Sequence, residues 1–306
     1  MMRITLKQLR YFDALAAHCH FGRAAEACAV TQPALSMQIQ DLETEIGAVL
    51  AERTRSGVAL TEAGREVAER AKHILACVHD LAGYAHHRAR PFAGPLHFGV
   101  IPSVAPYLLP PLLPRLRETY PDMELHLRET QTALLLSELQ DGKLDLILLA
   151  LPADRPDLET VPLFEDRFVL ALPPGYQAGG SPMRGLDKLI EGERLLLLEE
   201  GHCFRDQALS YCRLQQVRGI DTFGASSFST IVRLVANGHG ITLLPEISLE
   251  TEVRGGEVQL VRLEEPEPRR LLGLAWRVTS PRRDEFLALA RLITDLRPAS
   301  PDLLST

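Results

Sequence analysis

The chain has 306 residues, of which 46% are hydrophobic, and its formal net charge is −7. This length predicts two or three domains with hydrophobic cores, and the negative charge excludes a surface that attracts nucleic acid as a whole. The charge is uneven, because residues 1–90 hold 11 Lys and Arg against 10 Asp and Glu, whereas the remainder holds 22 against 30. Any contact with a polyanion is therefore expected in the N-terminal part.

The compartment is indicated by features that are absent from the sequence. No stretch approaches the roughly 20 apolar residues that a membrane span needs, and residues 1–7 lack the apolar core of a secretory leader. Five cysteines are an odd number in a long chain, which does not suit a disulfide framework. We therefore expect a protein of the reducing cytoplasm with no membrane partner, in which any disulfide is conditional.

The first 47 residues have the pattern of a helix-turn-helix. Apolar spacing predicts a helix at residues 5–17, and an alanine-rich segment at 21–30 predicts a short second helix. A third helix begins at Thr31, which can cap it, and ends at Gly47. Two short helices, a tight turn and small residues where they meet make this motif.

Polar side chains near the start of the third helix suit contact with DNA base edges. Residues 53–61 predict a two-stranded wing with two arginines at its tip, suited to phosphate or the minor groove. Helix-turn-helix patterns also occur in proteins that never touch DNA, and the local pattern leaves that alternative open. The predicted DNA-binding residues are Thr31, Gln32, Pro33, Ser36, Gln38, Arg53 and Arg55.

A long helix is predicted from about residue 61 to residue 87. Its apolar residues recur at alternating steps of four and three, a period of 3.5 that favours pairing with a second chain. Packing of this stripe on its own domain is the alternative. Residues 86–91 then have the composition of a hinge. The stripe consists of Val67, Ala71, Ile74, Val78, Leu81 and Ala85.

Strands and helices alternate from Gly94 onward. The first set has strands at 96–101, 123–129 and 144–151 and helices at 104–119 and 133–141. This order implies a parallel sheet covered on both faces. The second set has strands at 168–172, 195–198, 222–225 and 241–244 and helices at 204–216 and 227–237. A strand at 271–278 and a helix at 283–296 return to the first lobe, which predicts two α/β lobes with a cleft between them.

Polar residues follow three predicted strands, where ligands bind in open α/β sheets. These residues are Ser103, Thr132, and His202 with Cys203. Simple capping of the next helix is the alternative function of Ser103 and Thr132, and the two roles are compatible.

Cys203 and Cys212 lie nine positions apart on one predicted helix. Nine steps of about 1.5 Å separate their Cα atoms by roughly 13 Å, whereas a disulfide needs Cα atoms within about 7 Å. The two thiols therefore cannot bond while the helix is intact, and bonding would make the segment a redox-controlled bistable element. A helix N-terminus and the nearby Arg205 favour a thiolate at Cys203. Two ordinary core cysteines are the alternative.

Specific motifs in the N-terminal part resemble the LysR-type transcriptional regulators. They are Phe-Gly-Arg-Ala-Ala at 21–25, Thr-Gln-Pro-Ala-Leu-Ser at 31–36, Leu-Glu at 42–43, residues 50–53, and Leu-Thr-Glu-Ala-Gly at 60–64. This resemblance implies an α+β multidomain protein: a winged helix-turn-helix at 1–62, a linker and dimerisation helix with a hinge at 63–92, and a two-lobed regulatory domain at 93–306 that resembles periplasmic binding proteins. Lobe I would comprise about 93–165 and 268–306, and lobe II about 166–267.

Within that family, Gly-His-Cys-Phe-Arg-Asp-Gln-Ala at 201–208 followed by Cys212 resembles the OxyR subfamily of hydrogen-peroxide sensors. Residues 101–110, 142–145, 240–245 and 267–270 support this resemblance. It implies that Cys203 is the peroxidatic thiol and Cys212 the resolving one. Cys19, Cys28 and Cys77 lie in the helical N-terminal part, and we expect them to be structural. Ser103 stands where this subfamily leads us to expect Thr. The peroxide-binding or thiolate-stabilising residues would be Ser103, Thr132, His202, Arg205, Asp206, Arg269 and Arg270.

The resemblance also implies partners and a regulatory output. We expect a homotetramer, a dimer of dimers, that binds double-stranded promoter DNA, contacts RNA polymerase and is reduced by a thiol reductant such as glutaredoxin or thioredoxin. We expect an activator of oxidative-stress genes that is not an enzyme and needs no cofactor and no metal. The alternatives are a LysR-type regulator that senses a small organic ligand in the cleft, with incidental cysteines, and a thiol peroxidase.

Overall fold

The structure is a computed structural model that describes residues 3–54, 57–89, 91–153, 155–176, 193–214 and 221–296. The chain divides into two compact units, and each has its own architecture. The first unit comprises Met1–Ala89, Glu138–Lys143 and Thr279–Pro281, and the second comprises Arg90–Ser137, Leu144–Val278 and Arg282–Thr306.

The first unit begins with the predicted winged helix-turn-helix. Its helices are α1 (Leu6–His18), α2 (Phe21–Ala27) and α3 (Gln32–Ile46). An antiparallel wing follows, formed by β1 (Ala51–Thr54) and β2 (Gly57–Leu60), and then the long helix α4 (Glu62–Ala89). The helices enclose a core that includes Phe12, Leu15, Leu35, Ile39 and Leu42.

Two local predictions for this unit need correction. Helix α2 ends at Ala27 rather than at residue 30, because Cys28 forms its C-cap and Ala29 has a positive φ of 55°. Thr31 occupies the N-cap position of α3, yet its side chain makes no capping hydrogen bond. The predicted end of α3 is confirmed, since Gly47 adopts the left-handed conformation with φ 77°.

Helix α4 divides its predicted apolar stripe between two environments. Ala71 is buried in the core of the winged domain and Val67 packs against that core, in agreement with the alternative interpretation. Further along, the side chains of Ile74 and Leu81 are 43% and 74% exposed. The stripe therefore continues beyond its own core as an apolar surface.

In the second unit, six strands lie side by side in one sheet. The first three of them along the chain form the predicted βαβαβ unit. Strands β3 (Gly94–Val100), β4 (Met123–Glu129) and β5 (Leu146–Leu151) are parallel, and α5 (Ala105–Thr119) and α6 (Thr132–Gln140) connect them. Strand β6 (Leu158–Leu172) follows β5 along the chain, and β11 (Arg269–Arg277) runs antiparallel to both. Helix α10 (Arg283–Asp295) packs against β6 and β11.

The rest of this unit lies around the second half of β6. Strands β7 (Arg194–Leu198) and β8 (Asp221–Ala225) pair in parallel, and the cysteine-bearing helix α7 (Cys203–Leu214) lies between them in the chain. Next come α8 (Phe228–Ala236), β9 (Thr242–Pro245), α9 (Glu246–Glu252) and β10 (Gln259–Val261). Both β9 and β10 pair antiparallel with the end of β6. The second unit thus has two halves, one built on β3–β5 and the other on β7–β10. The chain crosses between them twice, in strand β6 and in the segment that leads into β11.

Three differences from the predicted pattern are visible in the second unit. The sheet is mixed rather than parallel, because β11 is antiparallel to its neighbours. The predicted strand at 168–172 is the end of a continuous 15-residue strand. The short elements α9 and β10 were not predicted. The final two residues of the predicted helix at 204–216 lie outside the described residues.

Candidate functional site

Helix α7 carries both candidate redox cysteines. Cys203 is its first residue and Cys212 lies in its last turn. All five cysteines are within the described residues, and all are free thiols. Nine helical steps of about 1.5 Å keep the two Cα atoms roughly 13 Å apart. The predicted incompatibility between this intact helix and a disulfide therefore applies to the observed geometry.

The two thiols have different surroundings. Cys203 is half-buried at the start of the helix, whereas Cys212 is fully buried on the same face as Phe204 and Ala208. Burial raises the pKa of the Cys212 thiol to about 11, because an apolar environment disfavours its charged form. Cys212 is consequently a neutral thiol at physiological pH.

His202 and Arg205 flank Cys203 as the sequence predicts. His202 is half-buried, and burial lowers its pKa, which keeps the ring neutral near pH 7. The Arg205 guanidinium turns back to the preceding strand, where Nη1 donates to the carbonyl oxygen of Leu198 over 3.1 Å. Arg205 thus anchors the first turn of α7 to the end of β7.

The N-terminus of α6 meets the turn that precedes Cys203. The Nε2 of Gln131 donates to the backbone carbonyl of Glu200 over 3.2 Å. Thr132 is the next residue, and its buried Oγ1 finds no hydrogen-bond partner among the described residues. A buried hydroxyl is costly unless a hydrogen-bond partner satisfies it, so this atom has the capacity to bond a further polar group.

Arg270 joins Ser103 to the residue that follows Cys203. Arg270 donates from Nη1 to the Ser103 hydroxyl over 2.7 Å and from Nη2 to its carbonyl over 3.1 Å. The guanidinium also lies over the Phe204 ring, 5.3 Å from its centre. Asp166 accepts from Arg270 Nε over 2.8 Å. Arg270 therefore connects Ser103 to Phe204, the residue after Cys203, and Gln131 connects the start of α6 to Glu200, three residues before Cys203.

The remaining predicted site residues lie at the outer face of α7. Asp206 and Arg269 both line a pocket of about 660 Å³, together with Phe168, Gln207, Ser210, Tyr211, Pro266, Glu267 and Pro268. Arg269 is half-exposed and pairs with Glu165 over 3.3 Å. The structure thus separates Arg269, at this pocket, from Arg270, which is buried beside Ser103.

The predicted DNA-contacting residues are distributed over α3 and the wing. Thr31, Gln32 and Pro33 are exposed at the start of α3, and Ser36 and Gln38 are half-buried further along it. Gln38 Nε2 donates to Asp41 over 3.2 Å. The Arg53 guanidinium lies over the Phe21 ring at 5.0 Å. Arg55 lies outside the described residues.

Comparison with known proteins gives the family. Residues 6–65 match the model of the bacterial regulatory helix-turn-helix proteins of the lysR family, and residues 89–297 match that of the LysR substrate binding domain. The DNA-binding transcriptional dual regulator OxyR of Escherichia coli K12 is 41% identical over 293 residues, 95% of each chain. The chain belongs to the OxyR branch of the LysR-type transcriptional regulators. None of the helices in the described ranges is long and apolar enough to cross a bilayer.

Other OxyR relatives cover nearly the whole chain. A probable hydrogen peroxide-inducible genes activator of Streptomyces viridosporus is 44% identical over 304 residues, 98% of this chain and 95% of the relative. A full-length OxyR cysteine variant from Pseudomonas aeruginosa matches with a TM-score of 0.76 at 35% identity, over 96% and 95% of the chains. An H₂O₂-bound OxyR mutant from Corynebacterium glutamicum matches with a TM-score of 0.63 at 33% identity, over 96% and 92% of the chains.

Sequence reasoning missed Gln131 and Asp166 near the candidate redox cysteines. Each acts through a contact that spans many residues of sequence, from Gln131 to Glu200 and from Asp166 to Arg270. The sequence does contain one indication of the role of Asp166. It is a charged residue within an otherwise apolar strand, and such a charge must be paired if it is buried. The sequence contains no such indication for Gln131, because a polar residue directly before a helix is normally explained as the cap of that helix.

Proposed function

We propose that this protein is a transcriptional regulator, and not an enzyme, that senses hydrogen peroxide by oxidation of Cys203 and reversible disulfide formation with Cys212. One observation carries the proposal: the two free thiols sit at opposite ends of the intact helix α7. A disulfide between them requires that helix to unwind or shift. Formation of the disulfide would therefore change the conformation of this segment.

The chemistry has two steps that fit the two thiols. In the first, the Cys203 thiolate attacks one oxygen of H₂O₂, the O–O bond breaks, and the products are a Cys203 sulfenic acid and hydroxide. In the second, the Cys212 sulfur attacks the Cys203 sulfur, and the sulfenic hydroxyl leaves as water with the proton of Cys212. The buried and neutral Cys212 takes part only after α7 has opened.

Polar groups beside the segment that carries Cys203 support a peroxide site. We assign Thr132, Ser103 and His202 to hydrogen bonds with peroxide, and the buried, unpartnered Thr132 hydroxyl supports this assignment. Arg270, fixed beside Ser103, would supply positive charge for the thiolate and the departing hydroxide. Arg205, Asp206 and Arg269 would shape the surrounding segment. Ser103 keeps the hydroxyl of the expected Thr, so we propose that peroxide binding is retained.

The protein would exert its regulatory effect by binding DNA. We propose that α3 enters the major groove with Thr31, Gln32, Pro33, Ser36 and Gln38, while Arg53 and Arg55 of the wing reach the backbone or minor groove. In the proposed domain organisation, residues 1–62 bind DNA, 63–92 form the dimerising linker, and 93–306 sense peroxide. Lobe I would comprise 93–165 and 268–306, and lobe II 166–267.

The proposed assembly is a cytoplasmic homotetramer made of two dimers. The exposed apolar residues of α4 support pairing through that helix. Refolding of α7 would change the spacing of the DNA-binding dimers and hence contact with RNA polymerase, activating oxidative-stress genes. Glutaredoxin or thioredoxin would reduce the disulfide back to two thiols. The relatives named hydrogen peroxide-inducible genes activators support this output.

The experiment compares wild type with Cys203→Ser and with Cys77→Ser, which changes a cysteine outside the site. Cells carrying each variant receive micromolar peroxide, and transcription and the DNA footprint are measured. We expect a response in wild type and Cys77→Ser and none in Cys203→Ser. An unchanged response in Cys203→Ser would overturn the proposal.

A regulator that binds a small organic ligand is the second candidate, and the pocket of about 660 Å³ beside α7 favours it. That volume suits a drug-sized molecule. Mass spectrometry of peroxide-treated protein separates the two candidates. A rapid Cys203–Cys212 bridge supports the peroxide sensor, whereas its absence favours the ligand-binding regulator.

A further inference from the structure

The side chain of Gln131 joins the two halves of the second unit directly beside the candidate redox cysteine. Gln131 precedes α6, in the half built on β3–β5, whereas Glu200 follows β7 in the other half. Its Nε2 donates to the Glu200 carbonyl over 3.2 Å. Only Gly201 and His202 separate that carbonyl from Cys203.

The turn is shaped to receive this amide. Gly201 has φ 91°, in the left-handed region that favours glycine. A Cβ added there would overlap the Gln131 side-chain amide, with the three nearest atoms all from that group. The amide therefore packs against the glycine on one edge and donates to the preceding carbonyl, which fixes the turn in its observed conformation.

We propose that Gln131 is a positioning residue that holds the Glu200–Gly201 turn in the conformation of the intact α7 helix and so controls the rate of disulfide formation. This inference rests on the proposed function of Cys203 and Cys212. We call the hydrogen bond from Gln131 to the Glu200 carbonyl the latch, and it is formed in the arrangement with both thiols free. The turn must leave the Gln131 amide before the first turn of α7 can bring Cys203 to Cys212.

The two chemical steps should respond differently to loss of the latch. Sulfenic acid forms while α7 is intact and needs no release of the turn, so its rate should change less than twofold. Condensation of the sulfenic acid with Cys212 needs that release. A typical net hydrogen bond is worth about 1 kcal/mol, so losing it should accelerate condensation about fivefold.

The test uses three variants of the full-length protein. Gln131→Ala removes the amide. Gln131→Glu keeps its size but replaces the N–H donor with an acceptor that faces the Glu200 carbonyl. Leu134→Ala changes an exposed side chain of the same helix and serves as the control. Each is made alone and with Cys212→Ser, which stops the reaction at the sulfenic acid.

Two rates are measured after mixing with H₂O₂. Sulfenic acid is trapped with dimedone in the variants that carry Cys212→Ser. Disulfide formation is followed by acid quench, alkylation and mass spectrometry in the variants that retain Cys212. We expect faster condensation with Gln131→Ala and Gln131→Glu, unchanged sulfenic acid formation, and no change with Leu134→Ala. Equal condensation rates in wild type and both Gln131 variants, or equal slowing of both steps, would overturn the latch.

The outcome for wild type keeps the two proposals apart. If the wild type forms no Cys203–Cys212 disulfide, the proposed function fails and the latch fails with it. If the wild type forms the disulfide while Gln131→Ala and Gln131→Glu condense at the wild-type rate, the sensor stands and the latch alone is wrong.

Discussion

Arg270 and Asp166 form an ion pair that is almost completely removed from solvent. Their side chains are 0% and 1% exposed, and Arg270 Nε lies 2.8 Å from Asp166 Oδ2. The other carboxylate oxygen accepts from the backbone N–H of Ile247 over 3.1 Å, and Arg270 also donates to Ser103. One pair thus links β6, β11, α9 and the loop after β3.

Asp166→Asn should destabilise the protein strongly. Removing one partner of a buried pair leaves an uncompensated charge, which typically costs about 3–5 kcal/mol. The neighbouring Glu165→Gln variant is a matched control, because its pair with Arg269 has side chains that are 50% and 46% exposed. That substitution should cost less than about 1 kcal/mol. Urea unfolding curves measure both changes, and equal costs for the two variants would contradict the buried role.

The raised pKa of Cys212 predicts a specific loss of stability at high pH. The ordinary thiol pKa is 9.0, and burial raises the pKa of Cys212 to about 11 in the folded protein. Because the folded state binds this proton more tightly, the stabilisation is complete below pH 9 and is lost as pH rises from 9 to 11. At about 1.4 kcal/mol per pKa unit, the full effect is roughly 3 kcal/mol.

The measurement compares wild type with Cys212→Ala under reducing conditions. The difference in unfolding free energy between the two should shrink between pH 8 and pH 11, because only wild type carries this titrating group. Cys212→Ser also lacks the titration and should show the same trend relative to wild type. A pH-independent difference for both variants would show that burial does not perturb this thiol.

The elements with strong local patterns were predictable from the sequence. Helix α5 and strand β4 follow apolar periodicity within a few residues of the predicted bounds. The continuous β6 was not predictable, because the charged residues Asp166 and Arg167 interrupt its apolar pattern. They are compatible with the strand only because Arg270 and Glu267 pair with them across roughly a hundred residues of chain. Helix α9 and strand β10 have seven and three residues, too few for a periodic signal.

The contacts around the candidate redox cysteines were not predictable from the sequence. The local pattern predicted a helix from residue 204, one residue after its observed start at Cys203, and gave burial of Cys212 only as the alternative of ordinary core cysteines. The bond from Gln131 to Glu200 depends on how two halves of a unit meet, across 69 positions of sequence. Local spacing contains no information of that kind, whereas the tertiary structure fixes it.

His202→Gln should reduce the acid sensitivity of the protein. Burial lowers the pKa of His202 below its ordinary value of 6.5, so the unfolded chain binds this proton more readily than the folded one. Stability is therefore present above pH 6.5 and is lost as pH falls below it. Thermal unfolding midpoints between pH 7.5 and pH 5 should fall less steeply for His202→Gln than for wild type. Parallel curves would contradict a buried, neutral imidazole.

Charge on the exposed stripe of α4 should weaken dimerisation. Ile74 and Leu81 are 43% and 74% exposed and lie seven residues apart, so they share one face of the helix. If that face pairs with a second copy, Leu81→Asp places two carboxylates in an apolar seam, and the dimer dissociation constant should rise at least tenfold. Sedimentation velocity measures this change. Glu66→Ala, which changes an exposed residue of the same helix, is the control and should sediment as wild type does. Unchanged association of the Leu81→Asp variant would exclude pairing through this face.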